Sequence, residues 1–333
     1  MRKPISSAFL VIVLLLPTQA TAWNASGHKT VAVIAYMNLK PGPKARVDAL
    51  LRQHPDFSKL SQGLSPADPN FMMLVFTRAA IWPDVIKGDN RFVEGDEPSP
   101  TGPPPLPGFP TMIRGRNWHF INVPFSPDGT TLLPPGRINA LAKIDLFRNH
   151  IGNPRVFANV QAYELSWLLH LVGDIHQPLH SVARFTKQHK TGDKGGNDFK
   201  IDDPESENLH FFWDDLLGKN DADAVVMALA TSIINDVQLP RNAAAISNTR
   251  AWIDESVGIA KSFVYTIGRE GNPRPSPSDG YRARAEKIAR ERVKLAGLRM
   301  AADGLRAHVL GRRYGRETAH NCQEDRSHGW RAV

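Results

Sequence analysis

Apolar residues return every three or four positions through most of this chain and almost nowhere at every second position, so it is equipped to build helices and poorly equipped to build sheets. The pattern predicts helices over 27–39, 43–53, 71–80, 156–171, 208–217, 222–234, 246–264 and 279–309. The expected architecture is all-α. Between 89 and 116 a Pro/Gly-rich stretch, with Pro103-Pro104-Pro105 and Pro107-Gly108, cannot continue a helix and reads as a long surface loop. A second loop, 184–203, carries the glycine-rich run Thr191 to Asn197. From Gly311 onward the chain is charged and poor in apolar residues, so 311–333 is expected to be a mobile tail.

The first 22 residues read as an export signal, with Arg2 and Lys3 ahead of an apolar run from Ala8 to Leu16 and a small-x-small site at Ala20-Thr21-Ala22. Cleavage there would expose Trp23 and place the protein in a periplasm or outside the cell. The run is shorter than the roughly 20 apolar residues of a membrane-spanning helix, so no stable membrane anchor is expected. No internal repeat divides the remainder, which predicts one domain over 23–310. Nothing sets the oligomeric state, and a monomer is the default. Only one cysteine, Cys322, is present, so no disulfide can form within the chain and an exported fold must be held by its core or by metal. A net charge of +8 favours a polyanionic partner without requiring one.

The segment His170-Leu-Val-Gly-Asp174-Ile-His176-Gln-Pro178-Leu-His180 carries the chemistry. His170 and Asp174 stand four apart, which on a helix puts imidazole and carboxylate on one face. Pro178 must end or kink that helix, letting His180 turn toward a second ion. A further pair at the same spacing follows, His210 and Asp214. One such pair is ordinarily a surface ion pair or a cap; two pairs plus His180 point to metal. Histidine and carboxylate without cysteine suit zinc in catalytic sites, where water completes each coordination sphere. His54, His150, His189, His308, His320 and His328 fit no ligand position and are expected at the surface, with His176 at most behind a ligand.

In order and type these residues resemble the S1/P1 nuclease family. Trp23 and His28 match its processed N-terminal tryptophan and the histidine five residues on. Trp82-Pro-Asp84-Val-Ile-Lys87 matches a Trp-x-Asp-x-x-basic element, Trp118-His119-Phe120-Ile121-Asn122 its His-Phe-Ile-Asp, and Gly195-Gly196-Asn197 a Gly-Gly-Asn turn. The resemblance implies an all-α domain, of a type shared with zinc phospholipase C, holding three zinc ions in a cleft. By carry-over, Asp84, His119, His170 and Asp174 hold one ion. Trp23, through its amine and carbonyl, His28 and the shared Asp174 hold its neighbour, and His180, His210 and Asp214 hold the third. Asp84 and Lys87 would serve catalysis, while Phe120, Asn122 and Asn197 would contact substrate. The implied reaction is attack of a zinc-bridging hydroxide on phosphorus, cutting single-stranded DNA and RNA to 5′-phosphorylated products, with 3′-nucleotidase activity on 3′-nucleotides.

Asn122 departs from the family's aspartate, which puts base preference in doubt, and the long insertion before His119 has no counterpart. Two other readings stay open. A zinc phospholipase C would prefer phosphatidylcholine to nucleic acid; a non-catalytic zinc-binding envelope protein would hold the same ions without turnover.

Overall fold

The computed structural model describes residues 23–102 and 104–304. These form helices α1 (Ala25–Asn38), α2 (Pro41–Leu51), α3 (Phe57–Leu60), α4 (Phe71–Val85), α5 (Ala140–His150), α6 (Ala158–His176), α7 (Leu209–Asp214), α8 (Asp223–Asp236), α9 (Thr249–Ser262) and α10 (Asp279–Arg299), with two three-residue strands, β1 (Val123–Phe125) and β2 (Val182–Arg184). The expected export signal 1–22, the expected tail 311–333, and His308, His320 and His328 lie outside the described residues.

Helix starts follow local chemistry. Asn24, Asn139, Asn208, Asn248 and Ser278 each accept a hydrogen bond from a first-turn amide, of Gly27, Ala142, Phe211, Ala251 and Tyr281. Every side chain of α6 from Ala162 to His176 is buried, as is every one of α1 from Ser26 to Tyr36, so these two helices are core elements apolar around most of their circumference. α1 packs on α4, α8 and α10, and α6 packs on α4 and α5. Trp82, Trp167 and Tyr163 interlock edge-on where α4 meets α6.

The all-α expectation holds, with particular differences. α5 was not among the periodic stretches, because it buries only Ala140, Ile144 and Phe147. α6 runs on to His176, since Pro178 rather than any earlier residue stops it. The last α-helix ends at Arg299 and passes into a π-turn, Met300–Gly304; the rest of the expected helix, 305–309, lies outside the described residues. The 89–116 stretch is loop up to a short 3₁₀ turn at Arg116, tied by a bridge between Val93 and Ile113. His54 is buried rather than exposed: its Nδ1 accepts the Asp56 amide at 3.0 Å beneath the Trp82 ring. His150 and His189 are only partly exposed, each bonded to a buried carboxylate, Glu164 and Glu270.

Two features position the site. β1 and β2 pair in parallel, Val123 opposite Val182, which brings the segment after His119 alongside the segment after His180. The end of α6 is also clamped. Ile175 O accepts from Ser181 and Ser256 hydroxyls at 3.2 and 2.6 Å, His176 O accepts from Arg292 at 3.2 Å, and His176 Nε2 meets Arg299 Nη1 at 3.0 Å. His176 therefore faces this buried arginine network, not the candidate ligands.

Candidate metal centre

α6 supplies the axis of the site. His170 and Asp174 lie one turn apart, with His170 Nε2 3.5 Å from Asp174 Oδ2. His119, at the end of the turn 116–119, brings Nδ1 to 3.1 Å from Asp174 Oδ2 and 3.0 Å from His170 Nε2. Asp84, near the end of α4, places Oδ1 3.6 Å from His170 Nε2. From α1, His28 stacks on His170 with ring centres 3.8 Å apart and reaches Asp174 Oδ1 with Nε2 at 3.2 Å. Trp23 is fully buried, its indole donating to Gly173 O at 3.1 Å, and Asn24 N donates to Asp214 O at 3.3 Å. The start of the described chain is thus wedged between α6 and α7.

The second group gathers beyond the end of α6. His210 Nε2 lies 3.1 Å from His180 Nε2 and 3.5 Å from Asp214 Oδ2. Asp214 Oδ1 accepts from Gln177 at 2.7 Å.

These donors fit cations, and the reason lies in their outer hydrogen bonds. His170, His180 and His210 each give Nδ1–H to a backbone carbonyl, of Ala80 at 2.8 Å, His119 at 2.9 Å and Gly195 at 2.6 Å. Each Nε2 is then a lone pair aimed inward. Between His180 and His210 two lone pairs face each other at 3.1 Å, an arrangement that repels unless positive charge lies between them. Both Nδ1 and Nε2 of His28, Nε2 of His119, Asp174 Oδ1 and Asp214 Oδ2 are buried without a hydrogen-bond partner, each a costly omission in a metal-free core. Burial pushes the imidazoles of His28, His119 and His180 well below the ordinary histidine value and takes His170 and His210 down to about 4, so all five are neutral bases at neutral pH. Burial lifts the carboxyls of Asp174 and Asp214 well above theirs, an effect that the Asp84 charge reinforces and Lys87 only partly offsets. Among the described residues three His/Asp groups could hold a metal: His28, Asp84 and His170; His119, His170 and Asp174; His180, His210 and Asp214. The first two share His170 and so adjoin each other.

Around this centre stand the substrate candidates. Lys87 Nζ is 2.6 Å from Asp84 Oδ1. Phe120 and Asn122 are partly exposed and line a hollow of about 380 Å³ with Asn117, Arg137 and Ile138. The Asn122 carboxamide makes no hydrogen bond to the described residues and is open to a ligand. Asn197 is partly exposed and donates to Lys194 O at 2.8 Å. Eight side-chain candidates from six segments thus gather in two groups, with Trp23 buried beside one of them; Phe120 and Asn122 directly follow His119, and Asn197 lies in the loop whose Gly195 carbonyl meets His210. The carbonyls that orient the histidines, and Gln177, were not foreseen; a partner presented by main chain leaves no mark in residue type.

Fold and site together define a helical protein built around buried neutral imidazoles and carboxylates, with a hollow that Phe120, the residue after His119, lines together with mostly polar side chains. The chain belongs to the S1/P1 nuclease family, whose pattern, described as S1/P1 Nuclease, matches residues 23–304. It is similar to two proteins of Arabidopsis thaliana, Endonuclease 4, at 30% identity over 155 residues, and Endonuclease 3, at 25% over 152 residues. Each alignment takes in 41% of this chain and 48% of the relative. The chain spans about half the length of the curated relatives it matches.

Proposed function

We propose that this protein is an exported, zinc-dependent nuclease that hydrolyses single-stranded DNA and RNA to 5′-phosphorylated products and removes phosphate from 3′-nucleotides. The observation that carries the reading is the inward set of imidazole lone pairs and unpartnered carboxylate oxygens, with the hollow lined by Phe120 and Asn122 on the segment that follows His119. Asp84, His119, His170 and Asp174 would hold one zinc, Trp23 with His28 and Asp174 a second, and His180, His210 and Asp214 a third. When bound, these ions supply Lewis acidity that acidifies an attacking water and offsets charge on the phosphate and the departing oxygen.

The chain's own residues do the rest. Asp174 offers one oxygen toward His28 and the other toward His119 and His170, so one carboxylate ties two ligand sets together. Lys87 keeps its ammonium at the edge of the centre through Asp84, where it screens charge on a phosphate. Phe120 stacks a base, which gives affinity with little sequence preference and requires an unpaired strand. Asn122 meets a base edge with a group that both donates and accepts. The hydrogen bond from Asn197 to Lys194 O leaves its amide oxygen for substrate.

Removal of the first 22 residues would turn the Trp23 nitrogen into a free amine. Burial of Trp23 beside His28 and α6 supports its use as a ligand. The deciding experiment measures zinc per chain on processed protein, with hydrolysis of single-stranded DNA, single-stranded RNA, duplex DNA and phosphatidylcholine before and after chelation. About three zincs with chelator-sensitive cleavage of single strands is the expected result. Faster phosphatidylcholine hydrolysis, or full zinc without turnover on any of these, overturns it.

A further inference from the structure

Asp193 is fully buried, and the proposed reaction gives it no task. Its carboxylate nevertheless gathers three donors from separate parts of the chain: the Arg184 amide at the end of β2 at 2.9 Å, the Tyr265 hydroxyl after α9 at 2.7 Å, and the amide of Gly196. The Asp193 carbonyl also accepts the Asp198 amide at 3.1 Å. Between these anchors run three successive residues in the left-handed region, Lys194, Gly195 and Gly196, with φ of 55°, 61° and 81°. Such an arc is disfavoured locally and persists only where its surroundings fix it. It is also tightly seated, since a Cβ on Gly195 would lie 2.2 Å from Leu179 O, next to His180.

The arc ends in a function. Gly195 O accepts Nδ1–H of His210 at 2.6 Å, and Gly196 O accepts the His210 amide at 3.4 Å. The carbonyl that fixes which nitrogen of His210 is protonated is therefore held in place by the Asp193 carboxylate one residue-turn away. Hydrogen bonds of this outer kind set ring orientation and basicity in metal sites.

We propose that Asp193 is a positioning residue for the His180, His210 and Asp214 cluster: by clamping the 194–196 arc it aims the Gly195 carbonyl at His210 and holds that imidazole with its Nε2 lone pair facing His180. The role rests on the metal-binding reading of that cluster and goes beyond it in naming what keeps the cluster poised.

The test compares full-length processed wild type with Asp193→Ala and Tyr265→Phe. Zinc alone is titrated into the metal-stripped proteins by calorimetry, and the His210 tautomer is read from imidazole ¹⁵N shifts, with circular dichroism as the check on folding. Asp193→Ala is expected to weaken one class of zinc site about 10- to 100-fold while the others are kept, and to move His210 away from the pure Nδ1–H form. Tyr265→Phe, which removes one of three donors, should do the same to a smaller degree and decides the matter if Asp193→Ala does not fold. Wild-type zinc binding and an unchanged His210 tautomer in a folded variant overturn the proposal. If wild type takes up no zinc, the metal reading fails, while the tautomer still reports whether Asp193 positions His210.

Discussion

Replacing Asp174 with asparagine should act in opposite directions on the metal-free and metal-loaded protein. Without metal, Asp174 is a buried carboxyl whose pKa burial has lifted well above its ordinary value, and an amide of the same shape carries no charge to desolvate. In chelator, Asp174→Asn should therefore lie within about 1 kcal/mol of wild type or be more stable. With metal the sign reverses. Each occupied site adds about 2.7 kcal/mol when free ion stands about 100-fold above Kd, and only about 0.4 kcal/mol once the affinity has fallen about 100-fold. Asp174 turns one oxygen toward His28 and the other toward His119 and His170, so two sites weaken together and about 5 kcal/mol of metal-dependent stability is lost. Urea unfolding in chelator and in zinc, with zinc per chain measured on the same samples, reads both halves. The same zinc-induced gain as wild type, or full zinc content, would refute the shared-carboxylate reasoning.

Gly173→Ala should gain about 1 kcal/mol of helix propensity and lose about 1–3 kcal/mol to crowding, because the new Cβ lies 2.9 Å from His28 Nδ1. Displacing that ring should cut hydrolysis roughly 100-fold, and full activity would show that His28 is not held this tightly. Phe120→Ala should raise KM for single strands by about 10-fold or more at nearly constant kcat; a fall confined to kcat would remove Phe120 from base stacking. Burial lowers His54 from 6.5 to about 4. The unfolded chain therefore takes up this proton first, and stability is lost as pH falls through that window. His54→Asn keeps an acceptor for the Asp56 amide and cannot titrate, so its loss of unfolding free energy between about pH 6.5 and about pH 4.5 should be smaller by about 2 kcal/mol. Identical pH slopes would contradict this.

What the sequence made legible was what side chains declare by type and spacing. His170 and Asp174, and His210 and Asp214, are set one turn apart by the helical period itself, and Pro178 marks where the chain leaves α6. Less legible were features decided by tertiary company. His54 has the composition of a surface histidine and becomes buried only because Trp82 and Asp56 close over it. β1 and β2 are three residues each, too short to establish a period of two. Asp193 sits in a stretch that reads as an ordinary glycine turn, and its importance appears only when β2, Tyr265 and Gly196 are seen to meet at one carboxylate.

The His119 peptide belongs to both clusters, contributing its side chain to one and, through its carbonyl, the hydrogen bond that orients His180 in the other. Ile121 N returns a bond to His180 O at 2.8 Å, so the linkage is a two-way strap. On the proposed metal-binding reading, filling either cluster would fix the strap further, and the second cluster would then fill with less ordering left to do. Uptake should accordingly be steeper than that of independent sites. In a metal-poor medium the population would divide into fully charged and empty molecules, with few half-charged ones, and the protein would respond to scarcity as a threshold instead of a slope.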